Sequence, residues 1–316
     1  MKHYIGIDLG GTNIVSGVVD ESYQILSTAS TPTNLPRDAR EIVKDMVMVT
    51  KEAIKKAGLT IEDITSIGIG VPGTANKESG LVEYANNLDF YNEPLLELMK
   101  EHFDKPIYFD NDANVAAYGE YLAGSGRGTK SLVMVTLGTG VGGGIVLNDR
   151  IYTGSNYAGG ELGHISIKFD GKECNCGRKG CFEVYGSATA LIEMTRDAME
   201  KDPDSKMWDL CNGEKDKVEG KTVFDAINLS DGTAKEVLDN YIYYLSVGIT
   251  DIINIFQPEV LCIGGGISKA GDMFLNPLKE LIDKQVYTRN SANQTKIMIA
   301  TLHNDAGIIG AAMLKE

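Results

Sequence analysis

The chain opens on an apolar run, Tyr4-Ile5-Gly6-Ile7-Asp8, then Leu9-Gly10-Gly11-Thr12-Asn13, then a second apolar run from Ile14 to Val19. Short apolar runs separated by glycine predict two strands joined by a turn. Between Glu41 and Ala57, Ile42, Met46, Val49, Ala53 and Ile54 recur at helical spacing, and Gly58 supplies a stop. Ile64 to Val71 alternates apolar with small residues and meets Pro72-Gly73, a strand entering a turn. The same reading places a short helix over Glu93 to His102, a strand over Pro106 to Phe109 and a helix over Ala113 to Leu122.

The strand–glycine–strand pattern then recurs from Leu132 to Leu147, so that Thr136 answers to Asp8 and Leu137-Gly138 to Leu9-Gly10. The strand and turn at Ile64–Gly73 are echoed by Val260 to Gly266. Two halves with the same plan suggest two related α/β domains facing a cleft; accidental similarity between α/β segments is the alternative. Helices are expected over Ala234 to Phe256, Met273 to Ile282 and Ala306 to Leu314, the first carrying Val237, Leu238, Tyr241, Leu245, Ile249, Ile252, Ile253 and Phe256 at a strong helical period. The polar segment 202–220 reads as a surface excursion, with Trp208 packing locally.

A length of 316 residues points to two domains, and 43% hydrophobic with 23% charged residues excludes a disordered chain. Thirty Lys and Arg against 44 Asp and Glu leave a net charge of -14, which repels nucleic acid and anionic membrane, so neither is an expected partner. A phosphate site would then need backbone N–H groups and a divalent cation. Asp8 interrupts the first apolar run and no secretory core follows Lys2, so a cytoplasmic protein is expected. The uncharged stretch Ser131–Asn148 reads as two strands around a glycine turn rather than a membrane span.

Asp8 at a strand end, followed by Gly10, Gly11, Thr12 and Asn13, suits hydrated Mg²⁺ beside a backbone that can approach an anion closely. An ordinary glycine hairpin explains the same residues. Gly138-Thr139-Gly140 and Gly264-Gly265-Gly266 repeat the device, and three such loops favour a nucleotide. Asp110-Asn111-Asp112-Ala113-Asn114 lies between a strand and a helix, where helix capping competes with proton acceptance by a carboxylate. Glu161-Leu162-Gly163-His164 is followed by Cys174, Cys176 and Cys181, with Glu183 just beyond. One His and three Cys at compact spacing match a closed, structural zinc site that would fix Glu161 and Glu183 relative to each other; a chance clump of thiols is the alternative. Cys211 and Cys262 stand outside the cluster.

Taken together, Asp8-x-Gly-Gly-Thr, Gly70-Val-Pro-Gly73, Asn111-Asp112 and Glu161-x-Gly-His with Cys-x-Cys-Gly-x-x-Gly-Cys-x-Glu resemble the ROK family of sugar kinases and repressors, over residues 4 to about 313. Within it the pattern is most similar to the bacterial ATP-dependent glucokinases. The resemblance implies a two-lobed actin-like α/β fold of the ribonuclease-H-like superfamily, with a cleft between the lobes. It places the smaller lobe at 1–117, joined by the C-terminal helix of about 304–316, and the larger lobe, with the zinc motif, at 118–303. It implies ATP-dependent phosphorylation of the 6-hydroxyl of glucose, with Asp112 as general base. Asn87, Asn111, Asp112, Glu161, His164 and Glu183 are implied sugar contacts, and Asp8, Gly10–Asn13, Gly138–Gly140 and Gly264–Gly266 hold Mg·ATP. His164, Cys174, Cys176 and Cys181 are implied zinc ligands, and the assembly a homodimer or homotetramer. Repressor members carry a DNA-binding segment ahead of the first loop, for which a loop starting at residue 8 leaves no room. The alternatives are a kinase for N-acetylmannosamine, fructose, allose or N-acetylglucosamine, a non-catalytic sugar sensor, and an actin-like ATPase.

Overall fold

A computed structural model describes residues 2–315. In chain order the first elements are β1 (His3–Leu9), β2 (Asn13–Asp20), β3 (Ile25–Pro32), α1 (Ala39–Lys56), β4 (Ile64–Val71), β5 (Thr74–Asn76), β6 (Leu81–Ala85), β7 (Phe90–Glu93), α2 (Leu95–Lys100), β8 (Ile107–Asn111) and α3 (Asp112–Ala123). They are followed by β9 (Ser131–Leu137), β10 (Val141–Leu147), β11 (Arg150–Ile151), α4 (Glu183–Gly186), α5 (Ala188–Lys201), α6 (Met207–Leu210), α7 (Thr222–Asn228) and α8 (Gly232–Phe256). The chain ends with β12 (Val260–Gly264), α9 (Asp272–Gln285), β13 (Lys296–Ile299) and α10 (Asp305–Ala312).

Two compact units result. The first takes in the chain up to Leu132, Gly144–Gly160 and the segment from Thr301 onward; the second comprises Val133–Gly143 and Glu161–Ala300. A division at 117/118 falls inside α3, which is a continuous helix. The first unit runs on past it because α3 packs against α10 so closely that a Cβ at Gly119 would stand 2.1 Å from the Ala306 carbonyl oxygen.

The first unit is built on a sheet of order β3-β2-β1-β4-β8. β1, β4 and β8 run parallel, while β2 and β3 are antiparallel additions. The register sets Asp8 beside Gly70 and Gly70 beside Asp110, so three carboxyl-terminal strand ends finish level. Ligands of open α/β sheets gather at such ends. One face is covered by α1, whose Asp38 cap accepts the Arg40 N–H at 2.7 Å and whose Ile42, Met46, Val49 and Ala53 are buried as the periodicity required. Against the other face lies α10. A Cβ at Gly6 would meet the Ile308 oxygen at 1.9 Å and one at Gly68 the Ala311 oxygen at 1.8 Å, so only hydrogen fits there. The small sheet β5-β6-β7 was not legible in the sequence, because its strands are short and expose Tyr84 and Tyr91.

A second sheet has the order β11-β10-β9-β12-β13. Within the second unit β12 is wholly buried, Cys262 included, and pairs in parallel with β13. Asp231 caps α8 by accepting the Ala234 N–H at 2.8 Å, and Val237, Leu238, Tyr241, Leu245, Ile249, Ile252 and Ile253 are buried along it. The 202–220 segment is not a plain surface excursion: Met207, Cys211 and Val218 are buried, which anchors it. Trp208 does pack locally, donating its indole N–H to the Met199 and Asp202 carbonyls at 3.1 and 3.2 Å. Among the described residues no helix is long and apolar enough to cross a membrane.

Candidate active site and metal centre

At the carboxyl-terminal edge of the first sheet, Asp8 ends its strand beside α10, where a Cβ at Gly307 would stand 2.9 Å from its carboxylate. The turn that follows is closed by Gly10 N–H on the Asn13 carbonyl at 2.9 Å. Thr33, which sequence reasoning missed, takes up two of its carbonyls: its N–H meets Thr12 at 2.8 Å and its hydroxyl meets Gly10 at 2.7 Å. With those oxygens engaged, exposed Gly11, Thr12 and Asn13 are left at the tip. Asn87 adjoins this turn, its Cβ lying 3.7 Å from where a Cβ on Gly11 would be.

Asn111 is the N-cap of α3, its Oδ1 accepting the N–H groups of Ala113 and Asn114 at 3.0 and 3.2 Å. Its amide also donates to the Gly73 carbonyl at 3.0 Å, and its side chain hydrogen-bonds the Asp112 carboxylate beside it. Beneath it Asp110 is fully buried, accepting the Asn111 N–H at 2.7 Å and the Asn114 amide at 3.0 Å. The other oxygen of Asp110 is met by the Lys77 ammonium. Nothing in the sequence marked Lys77, which reaches this carboxylate from the β5–β6 turn. Asp112 keeps its carboxylate at the start of α3, accepting the Ala113 N–H at 2.8 Å. Burial pushes the Asp112 carboxyl up, against the pull of that N–H. Burial, and then the neighbouring charge of Asp112, push Asp8 up to about 6. Two carboxylates that oppose each other's ionisation form a setting that a divalent cation would relieve.

In the second unit the Gly138–Gly140 turn is closed by Gly138 N–H on the Gly140 carbonyl at 3.0 Å. The start of α5 ties its other carbonyls: Ala188 N–H meets Gly138 and the Thr189 hydroxyl meets Thr139, both at 2.8 Å. Glu183 accepts the Val141 N–H on Oε2 at 3.0 Å. The Gly264–Gly266 loop opens on a cavity of about 570 Å³ lined by Gly220, Lys221, Phe224, Ile267, Lys269 and Met273. Its two lysines were not foreseen from loops that contain none.

The glycines of the three loops divide by what surrounds them. Gly140 would put a Cβ 2.2 Å from the Glu183 carboxylate, Gly264 one 2.7 Å from Met134, and Gly265 (φ 91°) one 2.2 Å from the Leu137 oxygen. Those positions are glycine for packing. Around Gly138 and Gly266 nothing lies within 4 Å, and neither has a positive φ. The fold does not need glycine there; a ligand approaching the backbone closely would.

His164, Cys174, Cys176 and Cys181 bring one ligand atom each to within 4.8 Å of one another. Cys174 Sγ lies 3.8 Å from His164 Nδ1, and the Cys176 and Cys181 sulfurs are 3.6 Å apart. Tetrahedral zinc with Zn–S of about 2.3 Å separates two sulfurs by about 3.8 Å, so the residues fit that ion. Gly177 (φ 85°) and Gly180 (φ 73°) make the turns that allow it. Burial pushes the Cys181 thiol up, while the Arg178 backbone N–H draws Cys176 down. A bound cation would favour thiolates throughout. Glu161 is exposed, with its carbonyl accepting the His164 N–H at 3.0 Å.

The chain is similar to known proteins along almost its whole length. The chain is 36% identical over 314 residues to the glucokinase of Halalkalibacterium halodurans, covering 99% of this chain and 94% of that one. It is 34% identical over 314 residues to the glucokinase of Thermotoga maritima, covering 99% and 97%. Among solved structures it is similar to a ROK family glucokinase from Streptomyces griseus in complex with glucose and AMPPNP, with TM-score 0.81, 33% identity and 98% of each chain covered. The ROK family itself matches over residues 4–316. A match running almost end to end establishes that this protein belongs to the ROK family.

Proposed function

We propose that the chain is an ATP-dependent hexose kinase that phosphorylates glucose at its 6-hydroxyl. The observation that carries this reading is the near-complete match to glucokinases of about the same length, with Asp112 at the start of α3 as the proposed base. In the reaction the sugar O6 attacks the γ-phosphorus, its proton passes to Asp112, and ADP leaves. Raised by burial, Asp112 is a better proton acceptor than an ordinary carboxylate.

Phosphoryl transfer depends on positioning and charge neutralisation. Gly11, Thr12, Gly138 and Gly266 offer backbone to phosphate, and the cavity beside Gly266 would take the base between Phe224, Ile267 and Met273. Asp8 would hold Mg²⁺, which when bound neutralises phosphate charge. Asn87, Asn111, Glu161, His164 and Glu183 would contact the sugar hydroxyls. Zinc on His164, Cys174, Cys176 and Cys181 would hold the 161–183 segment in place, a structural role for a closed site.

The test is ADP release from Mg·ATP across a hexose panel. Strong turnover on glucose supports the reading; turnover restricted to N-acetylmannosamine, fructose, allose or N-acetylglucosamine would correct the substrate. Sugar binding with no hexose-dependent ADP would overturn the enzyme in favour of a sensor.

A further inference from the structure

Glu183 touches the second glycine turn as well as standing at a proposed sugar contact. Its Oε2 holds the N–H of Val141, the residue after Gly140, at 3.0 Å, and the carboxylate lies where a Cβ on Gly140 would be, 2.2 Å away. Among the described residues no hydrogen bond falls on Oε1. A turn whose carbonyls are tied off by Ala188 and Thr189 is arranged to present N–H groups to an anion, yet one neighbouring N–H is taken by a carboxylate. A fixed negative charge against a phosphate-binding turn opposes phosphate.

We propose that Glu183 is a positioning residue that couples the two substrates: without sugar its charge holds nucleotide affinity down, and a sugar hydroxyl donating to Oε1 relieves that opposition. The coupling deepens the proposed kinase function and rests on Glu183 contacting the sugar. It follows from charge-assisted hydrogen bonding, since a donor at Oε1 draws charge away from the oxygen that faces the turn. Such an arrangement favours ATP binding once an acceptor is present and limits hydrolysis by water.

The experiment measures the dissociation constant of Mg·AMPPNP by calorimetry on the whole, metal-loaded chain, without glucose and at saturating glucose. Wild type is expected to bind nucleotide about tenfold more tightly with glucose, within the range usual for coupled sites. In Glu183→Gln the amide oxygen still accepts the Val141 N–H but the charge is gone. Sugar-free affinity should therefore tighten and the ratio fall toward one. A merely structural Glu183 would leave that ratio unchanged in the variant, and this result would overturn the proposal. A wild-type ratio near one, with both ligands bound, would also overturn it while leaving the kinase reading intact. Absence of glucose binding in wild type would remove the kinase reading together with the coupling. Gly140→Ala, whose methyl displaces the same carboxylate, gives an independent check: it too should reduce the ratio, and an unchanged ratio in a folded variant would count against the proposal.

Discussion

The two glycine hairpins solve one problem in the same way and differ in one charge. In each, a threonine hydroxyl and a backbone N–H remove carbonyl oxygens from the turn: Thr33 supplies both for Gly10 and Thr12, and Ala188 with Thr189 supplies them for Gly138 and Thr139. Each turn is thereby left with fewer free carbonyls facing an anion. The first hairpin carries Asp8 two residues before its glycine, whereas the second has Thr136 at the matching place and borrows a carboxylate, Glu183, from far along the chain. The same backbone device thus stands in two charge settings: on the proposed reading the first would hold a cation through Asp8, and the second would take phosphate only once the Glu183 charge is offset.

The comparison breaks most visibly at those matching positions. Asp8→Asn is expected to lower kcat/KM for Mg·ATP by about 10²-fold or more, while Thr136→Val should change it little; equal effects in steady-state kinetics would mean the hairpins are not specialised in this way. Gly138→Ala comes next. With nothing within 4 Å, the methyl should leave the melting temperature nearly unaltered but raise KM for ATP about tenfold, and an unchanged KM would show that phosphate does not approach there. Smaller effects should follow Thr33→Val and Thr189→Val, each removing one hydroxyl bond of about 0.5–1.5 kcal/mol and raising KM for ATP roughly twofold to tenfold without altering sugar affinity.

Outside activity, the first hairpin also carries a stability effect that the second lacks. Asp8 in the folded protein titrates near 6, above its ordinary value of 3.8, and Asp112 is raised as well. The folded state therefore binds protons more tightly than the unfolded one, and ionisation costs stability. That cost is full above about pH 6 and disappears as pH falls toward 4. Ligand-free Asp8→Asn should be more stable than wild type at pH 7, by roughly 1–2 kcal/mol, and lose the advantage near pH 4. Thermal melts at the two pH values would show it; an advantage independent of pH would point to packing instead.

Much of this arrangement was legible in the sequence because it is local. Both hairpins, the strand before Asp112 and the His164–Cys181 motif each lie within about twenty consecutive residues, and spacing alone constrains them. The small β5-β6-β7 sheet escaped because three to five residues with outward tyrosines show no clear period. Thr33, Lys77, Thr189 and the lining of the cavity beside Gly266 escaped for a different reason. Each acts on a loop elsewhere in the chain, as when Lys77 crosses to Asp110 or Thr189 to Thr139, and a threonine or lysine carries no mark of its distant partner. The 202–220 segment shows the same limit, since its few anchoring apolar residues are diluted by charge. Asn111 was ambiguous in sequence between cap and sugar contact; its oxygen caps α3, and its amide ties Gly73.

The central claim, that a buried carboxylate at the start of α3 takes the proton from the sugar, is tested most directly by separating turnover from binding in Asp112→Asn. Glucose affinity measured by calorimetry should stay within a few-fold of wild type, while glucose-dependent ADP release falls by about 10²–10⁴-fold. Near-normal turnover in that variant would contradict the account, because the proton would then have to leave by another group.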